Sequence, residues 1–128
     1  MAGTSRFPIR MSPGNGVLFR VLLILPSQSY VELTGDTLRV RLGWVFSARI
    51  PRRMITAARP GRRPTIPLTA GAHGWRNRWL VNGAPDGIVD VELSGKAGAF
   101  VMGLPIRLKV LSVSLVDPDG FLAAVNRQ

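Results

Sequence analysis

Three groups of side chains have types and spacings that bear on chemistry. The first is His73, the only histidine of the chain. Its imidazole titrates near neutral pH and suits proton transfer. No acid stands beside it to orient the ring, and glycines flank it in Gly71-Ala72-His73-Gly74. It reads as a solvated loop residue. The second group is Asp90 and Glu92, two apart on one strand face, as a general acid and base would be. They also occupy the polar side of an alternating strand, and a solvated face accounts for both. The chain has no cysteine, which excludes disulfides, thiol catalysis and thiolate metal sites, and one histidine excludes a multi-histidine centre within one chain. It holds no Gly-x-x-x-x-Gly-Lys phosphate loop, no Gly-x-Gly-x-x-Gly turn and no Gly-x-Ser-x-Gly elbow. Ser27, Ser29, Ser94, Ser112 and Ser114 fit ordinary turn and strand positions. The expectation is a chain that is not an enzyme and takes neither cofactor nor metal.

The third group is arginine with tryptophan. Of 128 residues, 17 are Lys or Arg and 7 are Asp or Glu, a formal net charge of +10. Between Thr37 and Pro85 stand ten arginines and no acid, whereas the remainder is balanced. Charge polarised in this way points to an anionic partner. A coding bias that favours arginine over lysine is the bland alternative. The candidate binding set is Arg49, Arg52, Arg53, Arg59, Arg62 and Arg63 with Trp75, Arg76, Arg78 and Trp79. Guanidinium forks match carboxylates and phosphates, and tryptophan supplies an apolar anchor. As one strand, Trp75, Asn77 and Trp79 would share a face and Arg76 and Arg78 the other.

The elements that must position these groups are short strands. Tyr30–Leu33 and Thr37–Leu42 flank Thr34-Gly35-Asp36, whose Gly and Asp suit the positive φ of a tight hairpin. Leu38, Val40 and Leu42 alternate with Arg39 and Arg41, the pattern of a half-buried antiparallel strand. Gly43 turns the chain into a third strand, Trp44–Pro51, and Arg53–Ala58 makes a fourth before Pro60-Gly61-Arg62-Arg63-Pro64 breaks regular structure. The stretch Arg59–His73, with Trp75–Leu80 behind it, reads as a long exposed irregular segment. Further strands fall at Ile88–Leu93 and Val110–Val116, with Gly95 and Gly98 between them near short strands at Ala99–Met102 and Pro105–Leu108. Asp117-Pro118-Asp119 then opens a short helix as N-cap, first-turn proline and first-turn acid, with Phe121, Leu122 and Val125 as its packing face.

These elements predict one mainly β domain, a small antiparallel barrel or sandwich of about seven strands capped by a short C-terminal helix. Residues 1–28 read as an N-terminal extension packing on a domain spanning 29–128. Within the extension, Val17–Leu25 is apolar but nine residues long and interrupted by Arg20. It is too short to cross a bilayer, and core packing suits it better than docking on a membrane surface.

The strand–turn–strand Tyr30–Gly43, the step from Ile50-Pro51 to Ile55, and the ending Leu111–Leu122 with its strand-to-helix junction together resemble bacterial pleckstrin-homology-like domains over residues 29–126. The resemblance implies a nearly orthogonal pair of sheets closed at one corner by the C-terminal helix, in a class made mostly of adaptors without catalytic residues. Phosphoinositide-binding members carry a basic cluster around the loop between the first two core strands. This chain has the short, acidic Thr34-Gly35-Asp36 there, with only Arg39 and Arg41 comparable.

The expected function is therefore a non-catalytic interaction module, an adaptor or complex subunit that binds an acidic protein surface or its own copies through the basic loop. The alternative is a peripheral binder of anionic lipid headgroups or nucleic acid, the latter weakened by the single tyrosine and sparse aromatic interleaving. Met1–Arg10 lacks the apolar region of an export signal. That favours a cytoplasmic location, including the inner face of the membrane.

Overall fold

The computed structural model describes residues 4–10, 29–61, 71–75, 77–82 and 86–126, without the side chains of 71–75 and 82. The apolar segment 17–25 lies outside the described residues. The fold is mainly β, one curled mixed sheet in the form of a half-barrel with one short C-terminal helix. Strands β1 (Ser5–Pro8), β2 (Ser29–Leu33), β3 (Thr37–Leu42) and β4 (Phe46–Pro51) are followed by a 3-10 turn, Arg52–Met54, and β5 (Ile55–Pro60). Then come β6 (Gly71–Trp75), β7 (Arg78–Asn82), β8 (Ile88–Val101), β9 (Leu104–Ser114) and the helix α1 (Pro118–Asn126). The strand order is β1-β2-β3-β4-β8-β9-β7-β6, with β5 also paired to β8.

Alternation sets the inside of this sheet. Leu38, Val40 and Leu42 of β3 are fully buried, as are Val31 of β2 and Ile50 of β4, while Arg39, Arg41 and Arg49 face out. The β2–β3 hairpin forms where the sequence places it, but by another device. Neither Gly35 nor Asp36 has a positive φ; among the described residues those are Gly43, Gly87, Gly103 and Met102. Instead the Thr37 amide donates to Thr34 Oγ1 at 3.1 Å, and the hydroxyls of Thr34 and Thr37 both donate to the Asp36 carboxylate. Side-chain bonding replaces the left-handed backbone.

Two long strands replace four expected short ones. β8 runs 14 residues straight through Gly95 and Gly98, and β9 runs 11. The register of β8 against β9 shifts between Glu92 and Ala97, a bulge that bends the strand without ending it. The bend lets one edge of β8 serve two partners: Val89–Leu93 pairs with β5, and Ala99–Val101 pairs with β4. The 3-10 turn at Arg52–Met54 is the matching kink between β4 and β5. Strands β6 and β7 pair antiparallel where an irregular segment was expected, and Asn77 lies in a turn before β7. Trp75 pairs with Arg78 and Gly74 with Trp79, so the two tryptophans stand on different strands instead of sharing the face of one. On the far edge of β9, β7 pairs in parallel, Arg78 to Val81 alongside Val110 to Val113. The sheet is thus mixed where a purely antiparallel one was expected.

The N-terminal strand belongs to the same sheet. β1 pairs with β2 along one edge. At its end, Ile9 bridges to Leu115, the Arg10 amide donates to the Ser114 carbonyl at 3.0 Å, and the Val116 amide donates to the Pro8 carbonyl at 3.1 Å. Ile9 is buried in the common core. The helix α1 begins as its sequence predicts: the Gly120 amide donates to Asp117 Oδ1 at 3.0 Å, an N-cap bond. Phe121 is fully buried and meets Phe7 edge-on, with centroids 5.4 Å apart. Strand β1 and helix α1 thus close on each other.

Candidate functional site

The sequence-derived arginine set does not gather at one place. Arg52 turns inward: its guanidinium donates to the Thr34 carbonyl at 3.0 Å and to the Ala124 and Val125 carbonyls at 2.8 and 3.3 Å. It holds the C-terminal end of α1 to the first hairpin, where a cation also complements the helix dipole. Arg59 pairs with Glu92 across the β5–β8 ladder. Its neighbour Asp90 accepts a bond from the Ser112 hydroxyl, so these two acids serve cross-strand pairing. Arg53 and Arg78 are exposed on separate elements, and Arg49 is exposed on β4. Trp79 is half-buried against the core, and its indole N–H is buried with no hydrogen-bond partner among the described residues. Arg62, Arg63 and Arg76, and the side chains of His73 and Trp75, lie outside the described residues.

A different cationic row does assemble, by register. Across four strands, Arg6 opposes Glu32, Glu32 opposes Arg39, and Arg39 opposes Arg49. Ser47 pairs with Phe100 and Ala48 with Ala99, so the ladder continues to set Arg49 beside Gly98. Gly98 in turn opposes Arg107. Glu32 is drawn to the far end of this row: Arg6 Nη2 approaches its Oε2 at 2.8 Å while the Arg6 guanidinium lies over the Tyr30 ring. The hydrogen bond to Glu32 raises the Arg6 pKa above its usual value. That leaves Arg39, Arg49 and Arg107 without an ion-pair or hydrogen-bond partner among the described residues. Like charges on adjacent strands disfavour the fold slightly, so such a row needs a reason beyond stability.

The row borders an open depression of about 700 Å³ lined by Ser47, Arg49, Gly98, Phe100, Pro105 and Arg107 among others. Gly98 is its floor, and a Cβ added there meets nothing within 4 Å. Strand spacing sets the Arg49 and Arg107 backbones about 10 Å apart, one on each side of β8. Two residues further along β8, Phe100 stands 54% exposed. Beyond it, the β3–β4 and β8–β9 turns are joined by a bond from the Met102 amide to the Val45 carbonyl at 2.8 Å. These turns present exposed Trp44, Met102 and Leu104. Met102 has φ 49°, a left-handed conformation that bulky residues rarely adopt.

Such a surface can hold an anion between two guanidinium forks and an apolar group on an adjacent ring. No family model, curated protein or solved structure matches this chain. Among the described residues, no helix is long and apolar enough to cross a membrane. Of the site as the structure draws it, only Arg49 belongs to the set read from sequence. Arg107 and Gly98 lie about fifty residues further along the chain, and nothing in their local pattern links them to Arg49. Residues 97–102, Ala-Gly-Ala-Phe-Val-Met, carry no polar–apolar alternation, so only the structure shows that Gly98 and Phe100 face solvent while Ala97 and Ala99 are buried.

Proposed function

We propose that the chain is a non-catalytic interaction module that binds an acidic protein surface, through the outer face of β3, β4, β8 and β9. The observation that carries this reading is the row of Arg39, Arg49 and Arg107, uncompensated among the described residues and bordering a depression with an exposed phenylalanine. Arginine forks and a large aromatic ring are the composition of an interface centre. Self-association through this face is disfavoured, because a two-fold contact would bring two arginine rows together. The curled sheet with its C-terminal helix is in keeping with the resemblance to pleckstrin-homology-like adaptors, whereas the parallel pairing of β7 with β9 within one mixed sheet departs from the orthogonal pair of sheets that the resemblance implies.

A second reading, docking on an anionic bilayer, draws on the exposed Trp44, Met102 and Leu104 at adjoining turns. Apolar tips beside cations suit the interfacial region of a membrane. The working surface would be the same end of the molecule, and the compartment would be the cytoplasm or the inner membrane face.

The test is a titration of the isotope-labelled chain with a capped, glutamate-rich peptide, read by backbone amide shifts at low and high salt. Shifts confined to residues around Arg49, Gly98 and Arg107, lost when Arg49 and Arg107 are changed to Glu, support the module. Shifts scattered over all basic residues, or none, overturn it.

A further inference from the structure

The groove along β8 has a spacing as well as a charge. Its cationic position, Gly98 between Arg49 and Arg107, and its apolar position, Phe100, are two residues apart on one face of one strand. That is a separation of about 6.7 Å, the repeat of any extended chain. We propose that this groove takes an extended segment of a partner protein in which an acidic residue and a large apolar residue are separated by a single residue. The carboxylate lies over Gly98 between the Arg49 and Arg107 guanidinium groups, and the apolar side chain packs on Phe100. This rests on the reading of the face as the surface for an acidic protein.

Three features favour such a segment. The absence of a side chain at Gly98 leaves open space in the depression that Arg49 and Arg107 also line, which a bulky residue at this position would occupy. The space is concave, a shape that receives a projecting side chain. Both edges of β8 are already paired there, with β4 and with β9. The segment therefore cannot join the sheet as a strand, and recognition falls to side chains, for which the spacing matters most. Past Phe100, the adjoining turns expose Met102 and Trp44.

The experiment uses the full, isotope-labelled chain and four capped peptides: Glu-Ser-Phe in a Gly-Ser frame, the adjacent Glu-Phe, the wider Glu-Ser-Ser-Phe, and Gln-Ser-Phe. The expected result is at least tenfold tighter binding of Glu-Ser-Phe than of the other three, with amide shifts at Gly98, Phe100 and Arg107. Gly98→Val fills the seat on a surface with room for its Cβ; it should weaken that peptide at least tenfold while circular dichroism and melting stay native. If all acidic peptides bind this face equally and Gln-Ser-Phe does not, the spacing is wrong and the acidic-partner surface stands. If no peptide shifts this face, both readings fail. If phosphatidylserine vesicles, and no peptide, perturb the Trp44 indole N–H resonance and the same amides, the occupant is a bilayer and the segment is ruled out.

Discussion

Arg52 and Ala124 lie 72 positions apart in the chain, and the guanidinium of one donates to the carbonyl of the other at 2.8 Å. Through the same side chain the helix end is tied to Thr34. An arginine that looked available to a partner is thus a bolt within the fold. Arg52→Ala should lower the unfolding free energy by about 2 kcal/mol, the scale of hydrogen bonds from a charged donor to otherwise orphaned carbonyls. Arg53→Ala, at an exposed neighbour, should change it by less than about 0.5 kcal/mol. Urea denaturation of the two variants checks the contrast; equal effects would sink the assignment.

Gly120 reverses the usual rule for glycine in a helix. Alanine ordinarily stabilises a helix interior by about 1 kcal/mol over glycine. Here an added Cβ would collide with the Asp117 carboxylate that caps the helix. Gly120→Ala should therefore destabilise, by about the 1 kcal/mol that loss of a cap costs. A raised melting temperature for this variant would refute the cap geometry.

Trp79 buries an N–H that has no partner among the described residues. Trp79→Phe removes that donor and keeps most of the ring, so stability should move by no more than about 1 kcal/mol in either direction. Trp79→Ala loses the packing against the core and should cost about 3 kcal/mol. Thermal melts of both variants separate an apolar role from a polar one, since a large loss in the phenylalanine variant would mean that the indole N–H is in use.

Arg49 stands opposite Arg39 on the neighbouring strand. Replacing it with threonine relieves a like-charge pair and introduces a β-branched residue at an exposed strand position. Arg49→Thr should raise stability by about 0.5 kcal/mol while weakening the binding of acidic peptides. A variant that is less stable would show that the arginine contributes to folding, and the functional argument for the row would lose its main support.

Much of the scaffold was legible in local pattern. The alternation of Leu38, Val40 and Leu42 with Arg39 and Arg41 specified β3 and its inward face, because period 2 admits no other half-buried element. Asp117-Pro118-Asp119 specified the start of α1 through its cap and the fixed φ of proline. Charge balance likewise marked residues 37–85 as the basic part of the chain. Register was not legible. Whether Gly95 ends a strand or sits in a bulge, whether β7 meets β9 in parallel, and whether Arg49 stands beside Gly98 and Arg107 all depend on which backbone groups pair across the sheet. So does the division of the arginines into working and structural ones: Arg52 and Arg49 look alike in sequence, and only the position of the helix end turns one of them inward. Composition supplied the charge; long-range pairing decided where it is left uncompensated.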